Sequence, residues 1–251
     1  MSEAMRALAS AWTWAWMGVV VLVGLPILAL LVVVTAPFDR GRYVAGRWFR
    51  LVGVAMAKVN PLWRFRWSGT PPADLRRPYV VVSNHESFAD ILLISHLPWE
   101  MKWMAKAEMF RLPVVGWMMR LAGDIPIERG VGGKPLARAL AKSRATLGKR
   151  VSVMMFPEGT RSTTADMLPF KDGAFLLAIH AGVPILPLAL AGTRTALPKH
   201  DWRFRRAVAE VMILEPVETA GLAPGDANEL KQRVRTMIER ARDALRARLP
   251  G

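Results

Sequence analysis

The sequence contains no cysteine among its 251 residues. A chain without thiols forms no disulfide, has no thiolate nucleophile and offers a metal no cysteine ligand. It also lacks the Gly-x-Ser-x-Gly elbow of serine hydrolases, and its four histidines do not show the His-x-x-x-His spacing typical of zinc sites. These absences argue against an acyl-enzyme on cysteine or an elbow serine and against a metallohydrolase, and they fit a reducing compartment.

Acidic residues are scarce: 20 aspartates and glutamates stand against 35 lysines and arginines, a formal net charge of +15. A field of this sign suits anionic partners, which include nucleic acid, an anionic membrane surface and phosphorylated substrates. The mean hydropathy is nevertheless positive, which favours the membrane. The length accommodates one substantial α/β domain with an appendage.

Charged residues are absent from residues 11–36, and three tryptophans crowd the first part of this run. Roughly 20 apolar residues span a bilayer core, so the run is long enough to cross one. It is longer than the apolar core of a cleavable signal peptide, and Arg6 alone gives it a weak basic start. Pro26 interrupts the run, which leaves open insertion into a single leaflet.

The next segment, residues 42–58, mixes basic with large apolar residues. This pattern favours an amphipathic helix on an anionic lipid surface, although a helix packed on the domain also fits it. We therefore predict membrane-anchoring helices in residues 1–59 and an α/β domain in residues 60–251. If the first helix crosses a bacterial cytoplasmic membrane, the basic residues behind it place that domain in the cytoplasm.

Short strands alternate with helices beyond residue 60. Strands are predicted near residues 62–67, 79–83, 101–105, 124–127, 151–156, 184–190 and 208–214, and helices near 87–96, 113–122, 133–148, 172–181 and 226–248. The alternation indicates an α/β fold in which a mixed β-sheet is flanked by helices. Two prolines within residues 183–188 favour an edge strand or a bulge there.

One predicted strand-to-helix corner, residues 84–90, carries a histidine and a carboxylate in the sequence Asn-His-Glu-Ser-Phe-Ala-Asp. Ser87 and Asp90 form a capping-box pattern, which predicts that the helix begins at Ser87. Helical side chains lean toward the N-terminus, so Asp90 is expected to point back at His85. Taken alone, the pattern favours a helix cap and a turn histidine over a base oriented by an acid.

Three further segments carry candidate binding residues at predicted strand ends: Lys106, Arg129, and a loop with Glu158 and Arg161. Ligands of α/β sheets bind at the carboxyl ends of strands, and the guanidinium fork binds two phosphate oxygens at once. Plainer interpretations exist for each of them. Lys106 fits a solvated ion pair, Arg129 fits any surface arginine, and Pro-Glu-Gly is ordinary turn chemistry.

Four motifs in this order resemble those of the glycerolipid acyltransferase family, in particular its bacterial 1-acylglycerol-3-phosphate acyltransferases. Residues 84–90 match the Asn-His-x4-Asp motif, and residues 156–162 match Phe-Pro-Glu-Gly-Thr-Arg-Ser completely. Residues 123–129 resemble the family's glycine-to-arginine strand, and residues 183–188 resemble its proline-interrupted apolar strand. The similarity covers about residues 60–215.

The resemblance implies transfer of a fatty acyl group from acyl-CoA or acyl carrier protein to the sn-2 hydroxyl of lysophosphatidic acid, giving phosphatidic acid. His85 would take the hydroxyl proton, and Asp90 would fix the tautomer of His85. Attack would be direct, with no metal and no cofactor besides the thioester co-substrate. The implied substrate-binding residues are Arg129 and Arg161 for the phosphate, Glu158 for the head group or the arginines, Gly159 and Thr160 beside them, and Lys106 as a weaker candidate.

Two other functions remain open at this point. An acyltransferase of the same kind could act on glycerol 3-phosphate or on a lyso-ornithine-type lipid. The net charge of +15 and clusters such as residues 203–206 also fit a membrane-tethered nucleic-acid-binding protein, whose affinity would fall steeply with salt. We rank that alternative low because the basic residues are spread along the chain, and we expect no nucleic-acid partner.

Overall fold

The computed structural model describes residues 2–128, 133–162, 164–198 and 201–249. Its strands are β1 (Trp63–Ser68), β2 (Val80–Ser83), β3 (Met101–Lys106), β4 (Ile125–Ile127), β5 (Ser152–Met155), β6 (Ile185–Ala191) and β7 (Ala207–Ile213). Within the described ranges these strands form one seven-stranded sheet in the order β1-β7-β6-β2-β5-β3-β4. Each strand lies where the sequence predicted it.

The sheet is mixed, because β6 and β7 run antiparallel whereas the other neighbouring pairs run parallel. The predicted α/β fold with a mixed sheet is therefore confirmed. The parallel strands β6, β2, β5, β3 and β4 end at the same side of the sheet, which we call the carboxyl edge. Ligands of α/β sheets bind along such an edge.

The helices are α1 (Glu3–Thr35), α2 (Tyr43–Lys58), α3 (Ala89–Ile94), α4 (Val115–Ala122), α5 (Lys134–Leu147), α6 (Gly173–Ala181) and α7 (Ala227–Arg248). Helices α5, α6 and α7 pack on one face of the sheet. Helix α3 packs on the other face, beneath α2, and α1 and α4 lie against α2. Strand β2 alternates between these layers: Val80 and Val82 join the first core, and Val81 joins the second.

Strand β6 lies inside the sheet, between β7 and β2, which shows that the prediction of an edge strand was wrong. Pro187 is tolerated there because its carbonyl accepts the N–H of Leu214, just past the end of β7, at 3.0 Å. The amide nitrogen of a strand residue faces the same neighbour as its carbonyl. An N–H at position 187 would therefore point toward Leu214, beyond the last residue of β7, so its absence removes no hydrogen bond between paired residues of β6 and β7.

Helices α1 and α2 form a closely packed hairpin against the α/β domain. A Cβ atom on Gly24 of α1 would lie 2.7 Å from the side chain of Val52, so glycine permits this approach. The indole of Trp48 donates to the Gly24 carbonyl at 3.0 Å. Near its start, α1 also contacts the domain, where the Ser10 hydroxyl accepts the N–H of Phe204 at 2.9 Å.

In the described part of the chain, α1 is the helix whose length and composition would suffice to cross a membrane. The face of α1 that points away from the α/β domain is strongly exposed. Large apolar side chains cover that face from end to end: Met5, Leu8, Trp12, Trp16, Val19, Leu22, Val23, Leu30, Val33 and Val34. A continuous apolar surface of this size marks a site of contact with a membrane or another protein.

Candidate active site

The strand-to-helix corner after β2 places His85 at the carboxyl edge. The backbone of His85 is held on both sides by the loop after β5: its N–H donates to Oε1 of Glu158 at 2.8 Å, and its carbonyl accepts the N–H of Ser162 at 3.1 Å. Two segments that are more than 70 residues apart in sequence therefore form one site.

The imidazole of His85 lies between a carboxylate and an aromatic ring. Its Nδ1 is 2.8 Å from Oδ2 of Asp90, and its ring stacks on Phe156 with the centroids 3.9 Å apart. Its Nε2 has no hydrogen-bond partner in the described part of the chain. Because Nδ1 faces the carboxylate, Nε2 is the nitrogen left for a substrate.

Asp90 is completely buried and uses both carboxylate oxygens. Oδ2, which contacts the His85 ring, also accepts the backbone N–H groups of Glu86 at 2.7 Å and Ser87 at 2.9 Å. Oδ1 accepts the hydroxyl of Thr193, which follows β6. The two interpretations of Asp90, helix cap and partner of His85, therefore describe one arrangement.

Helix α3 begins at Ala89, two residues later than predicted. The hydroxyl of Ser87 accepts the N–H of Ala89 at 3.3 Å, whereas a capping box requires it to accept the N–H of Asp90. Only the carboxylate half of the box is formed.

Asn84 extends the sheet at the same corner. Its side-chain amide donates to the carbonyl of Leu190, and its side-chain oxygen accepts the N–H of Leu190, both at 2.9 Å. The side chain thus replaces a backbone strand pair between β2 and β6. This fixes the direction in which the chain leaves β2 toward His85.

Glu158 supports the corner from the side of β5. Its Oε2 accepts the N–H of Leu168 at 2.9 Å, while its Oε1 holds the His85 N–H. Burial raises the pKa of Glu158, and the two N–H donors oppose that rise. Both oxygens of this carboxylate are occupied by backbone, and among the described residues it contacts no arginine.

The remainder of the loop after β5 is open to solvent. Gly159 has φ of +74°, a left-handed conformation that favours glycine. Thr160 and Arg161 are exposed, and Arg161 forms no ion pair with any described residue. Its guanidinium is therefore available to an anion near His85.

The two other predicted binding residues are Arg129 and Lys106. Arg129, which follows β4, lies outside the described residues. Lys106 ends β3, where its Nζ is 3.1 Å from Glu108 and both side chains are about half exposed. The structure thus gives Lys106 the solvated pair that the sequence had offered as an alternative, and Lys106 makes no hydrogen bond or ion pair with His85 or Asp90.

Sequence reasoning missed the partners that come from distant parts of the chain. Thr193 binds Asp90 from 103 residues away, and no pattern around it signals that contact. Glu86 belongs to the corner motif, yet its ion pair with Arg246 of α7, with Nη2 to Oε1 at 2.5 Å, was not foreseen. Burial raises the pKa of Glu86, and Arg246 counteracts that rise.

An apolar cavity of about 140 Å³ lies beside the site, between the sheet and helices α1 to α4. Trp103 lines it, and the Trp103 ring lies 5.9 Å from that of Phe156, which stacks on His85. A buried ion pair closes the other side, with Arg50 Nη2 at 2.6 Å from Oδ1 of Asp124. The cavity is suited to a hydrocarbon chain.

Comparison with known proteins agrees with this geometry. The model of the family described as Acyltransferase matches residues 64–191, which is half of the chain and includes the whole corner and the loop after β5. The chain therefore belongs to the acyltransferase family, as its motifs had predicted.

Its relatives are more specific. It is 40% identical over 166 residues to human 1-acyl-sn-glycerol-3-phosphate acyltransferase alpha, an alignment that covers 66% of this chain and 58% of that protein. It is 33% identical to the Saccharomyces cerevisiae 1-acyl-sn-glycerol-3-phosphate acyltransferase, covering 65% of this chain and 55% of the yeast protein. The match thus spans less than two thirds of the length of these curated relatives.

A solved structure is also similar to this chain. The crystal structure of the 1-acyl-sn-glycerophosphate acyltransferase PlsC from Thermotoga maritima superposes with a TM-score of 0.78 at 26% identity, covering 100% of both chains.

Proposed function

We propose that this protein transfers a fatty acyl group from an acyl thioester to the sn-2 hydroxyl of lysophosphatidic acid, giving phosphatidic acid at a membrane surface. The observation that carries the proposal is the 2.8 Å contact between His85 Nδ1 and Asp90 Oδ2 at the carboxyl edge. The names of the relatives support the choice of acceptor.

In the proposed reaction, His85 Nε2 takes the proton of the acceptor hydroxyl as its oxygen attacks the thioester carbonyl. Asp90 holds the imidazole in the tautomer that leaves Nε2 free and stabilises the imidazolium that forms. The tetrahedral intermediate then expels the thiolate, which receives the proton from the imidazolium. General-base help of this kind contributes roughly 10²–10⁴ in rate.

Two features near the imidazole, its arginines and an apolar cavity, suit the proposed substrates. Arg161, exposed and without an ion pair in the described chain, provides a cation for the acceptor phosphate. We assign Arg129 the same role from its motif, although it lies outside the described residues. The apolar cavity behind Trp103 offers space to part of an acyl chain.

The N-terminal helices support a membrane location for the reaction. Helix α1 contacts the domain both near its start, at Ser10, and in its second half, at Leu28. A helix held along its length in this way suits insertion of its outer apolar face into one leaflet better than a crossing of the bilayer. We propose that the site faces the cytoplasmic side of a bacterial inner membrane, where its lipid acceptor lies.

Thiol release tests the proposed function. Purified full-length protein with lysophosphatidic acid and an acyl thioester should release free thiol, and His85→Ala should abolish the release. His180→Ala is a matched control, because this histidine lies on α6 away from the corner, and it should retain the wild-type rate. Full activity in both His85→Ala and Asp90→Ala would contradict the assignment of the base.

A panel of acceptors and donors defines the substrates. Lysophosphatidic acid, glycerol 3-phosphate and a lyso-ornithine lipid are each assayed with acyl-CoA and with acyl carrier protein. We expect lysophosphatidic acid to give the highest kcat/KM of the three acceptors. Faster transfer to glycerol 3-phosphate or to the lyso-ornithine lipid would show that lysophosphatidic acid is not the preferred acceptor. The assignment of the catalytic residues would not change.

A further inference from the structure

A basic cavity lies at the carboxyl edge, on the side of His85 that faces away from α1 and α2. It is a cavity of about 640 Å³ between β1, the ends of β2 and β6, the start of β7 and the last turn of α7. Four arginines and one acid line it: Arg64, Arg194, Arg206, Arg246 and Glu86. We call this cavity the arginine cleft.

The charges of the arginine cleft do not balance. Glu86 pairs with Arg246 at 2.5 Å and lies 3.9 Å from Arg194, so one buried carboxylate positions two guanidinium groups. Arg64 and Arg206 are exposed and form no ion pair with any described residue. With a formal charge of +3, the cleft is suited to a ligand that carries more than one phosphate charge.

The position of the cleft follows from the alternation of side chains along β2 and the corner. Residues 81 and 85 face the side of the sheet covered by α3, whereas Val82 and Glu86 face the side covered by α7. The imidazole, which stacks on Phe156, thus lies on the α3 side of the sheet, and the cleft opens on the opposite side. Arg194 directly follows Thr193, which binds Asp90, so the cleft adjoins the pair of catalytic candidates.

We propose that the arginine cleft binds the acyl donor through the phosphate of the pantetheine arm that coenzyme A and acyl carrier protein share, and that it also accommodates the additional phosphates of coenzyme A. This inference rests on the proposed function and adds the direction from which the second substrate arrives. The lipid acceptor approaches His85 from the side of the membrane, with its phosphate at Arg161. The water-soluble donor approaches from the side of α7 and delivers its thioester to the same imidazole.

Size and distance favour the donor as the ligand of the cleft. A cavity of about 640 Å³ is larger than one phosphate group needs, and it lies next to the corner that holds His85. The wall formed by Leu62 and Ala207 separates it from α1. A lipid held by its acyl chain at the outer face of α1 would therefore be separated from the cleft by this wall.

Binding measurements on the full-length protein test the proposal without requiring acyl transfer. The ligands are desulfo-CoA, holo acyl carrier protein and glycerol 3-phosphate, which represent the two donors and the acceptor head group. In the double variant Arg64→Gln/Arg206→Gln, we expect the Kd of a donor ligand to rise roughly 10- to 100-fold, because charge-assisted hydrogen bonds are lost. The affinity for glycerol 3-phosphate should not change.

The matched control is Arg205→Gln, which removes one charge from an exposed arginine next to Arg206 that does not line the cleft. It should leave all three Kd values unchanged. A response to desulfo-CoA or to holo acyl carrier protein identifies the source of the pantetheine arm. Unchanged donor affinity in the double variant, weakened glycerol 3-phosphate affinity in its place, or no binding of either donor to the wild type would each overturn the proposal. Thiol release with His85→Ala tests the proposed function separately.

Discussion

The Nδ1 atom of His85 lies 2.8 Å from Oδ2 of Asp90, and the same oxygen accepts the backbone N–H groups of Glu86 and Ser87. One carboxylate oxygen therefore closes the corner and orients the imidazole. Because structure and chemistry depend on the same atom, a useful substitution at Asp90 must keep the acceptor and remove only the charge.

Asp90→Asn meets this condition, since its carbonyl oxygen can replace Oδ2 while the amide group faces Thr193. We expect kcat to fall by roughly 10²–10⁴, because the neutral amide no longer stabilises the imidazolium. Initial rates of thiol release give the comparison. Asp172→Asn, an exposed acid outside the site, is the control and should keep the wild-type rate. Wild-type kcat in Asp90→Asn would remove Asp90 from the mechanism.

Glu158→Gln separates two roles of this carboxylate, positioning of His85 and binding of the head group. The side-chain oxygen of glutamine can accept one of the two backbone N–H groups, that of His85 or that of Leu168. Its NH2 group then faces the other N–H, which loses its acceptor. A buried donor without a partner costs about 1–3 kcal/mol, so we expect unfolding free energy to fall by that amount and kcat to fall with it. Denaturant titrations and steady-state kinetics are the measurements. Unchanged stability with a higher acceptor KM would show instead that Glu158 binds the head group.

The strands were predictable because most of them are short apolar runs between turn residues, and β1 alternates aromatic residues with arginines. In β2, for example, Val80, Val81 and Val82 are all buried, as a strand covered on both faces requires. The direction of Asp90 was also predictable, since helical side chains lean toward the N-terminus. These features depend on local sequence alone.

Contacts between distant segments were not predictable in this way. Thr193 reaches Asp90 because β6 lies next to β2, and the prolines of β6 had suggested an edge position instead. The arginine cleft likewise depends on α7 ending beside Glu86. Strand order, which sets both arrangements, is decided by packing over the whole domain.

The pKa of Glu86 predicts a pH dependence of stability. Burial raises this pKa above its ordinary value of about 4.5, Arg246 lowers it, and Asp90 raises it further. An acid with a raised pKa in the folded state favours folding below its ordinary pKa, and this contribution is lost as pH rises through the folded value. The stability of the wild type relative to Glu86→Gln should therefore decrease as pH increases above about 4.5. Denaturation of both proteins across this range measures the difference, and a relative stability that grows with pH would show that the arginines dominate.

The ion pair of Arg50 and Asp124, both of which are almost fully buried, predicts a large loss of stability when one partner is removed. Arg50→Met leaves Asp124 and Glu100 without their shared cation, which should cost about 3–5 kcal/mol. The control is Glu218→Ala, which breaks an exposed pair with Arg77 and should cost about 0–1 kcal/mol. Chemical denaturation of the three proteins gives both values. Equal losses in the two variants would contradict the role assigned to burial.

The outer face of α1 predicts how the protein holds to a membrane. Leu22 and Leu30 are more than 60% exposed, so glutamine at both positions should leave the fold intact. Burial of each leucine in lipid contributes about 1.5–3 kcal/mol, and the double variant should therefore bind vesicles roughly 10²- to 10⁴-fold more weakly. Flotation with vesicles that contain phosphatidylglycerol measures this partitioning. Thermal unfolding and turnover of a short-chain, monomeric lysophosphatidic acid should match the wild type, because neither depends on lipid contact. Full vesicle binding by the double variant would place the membrane contact elsewhere on the protein.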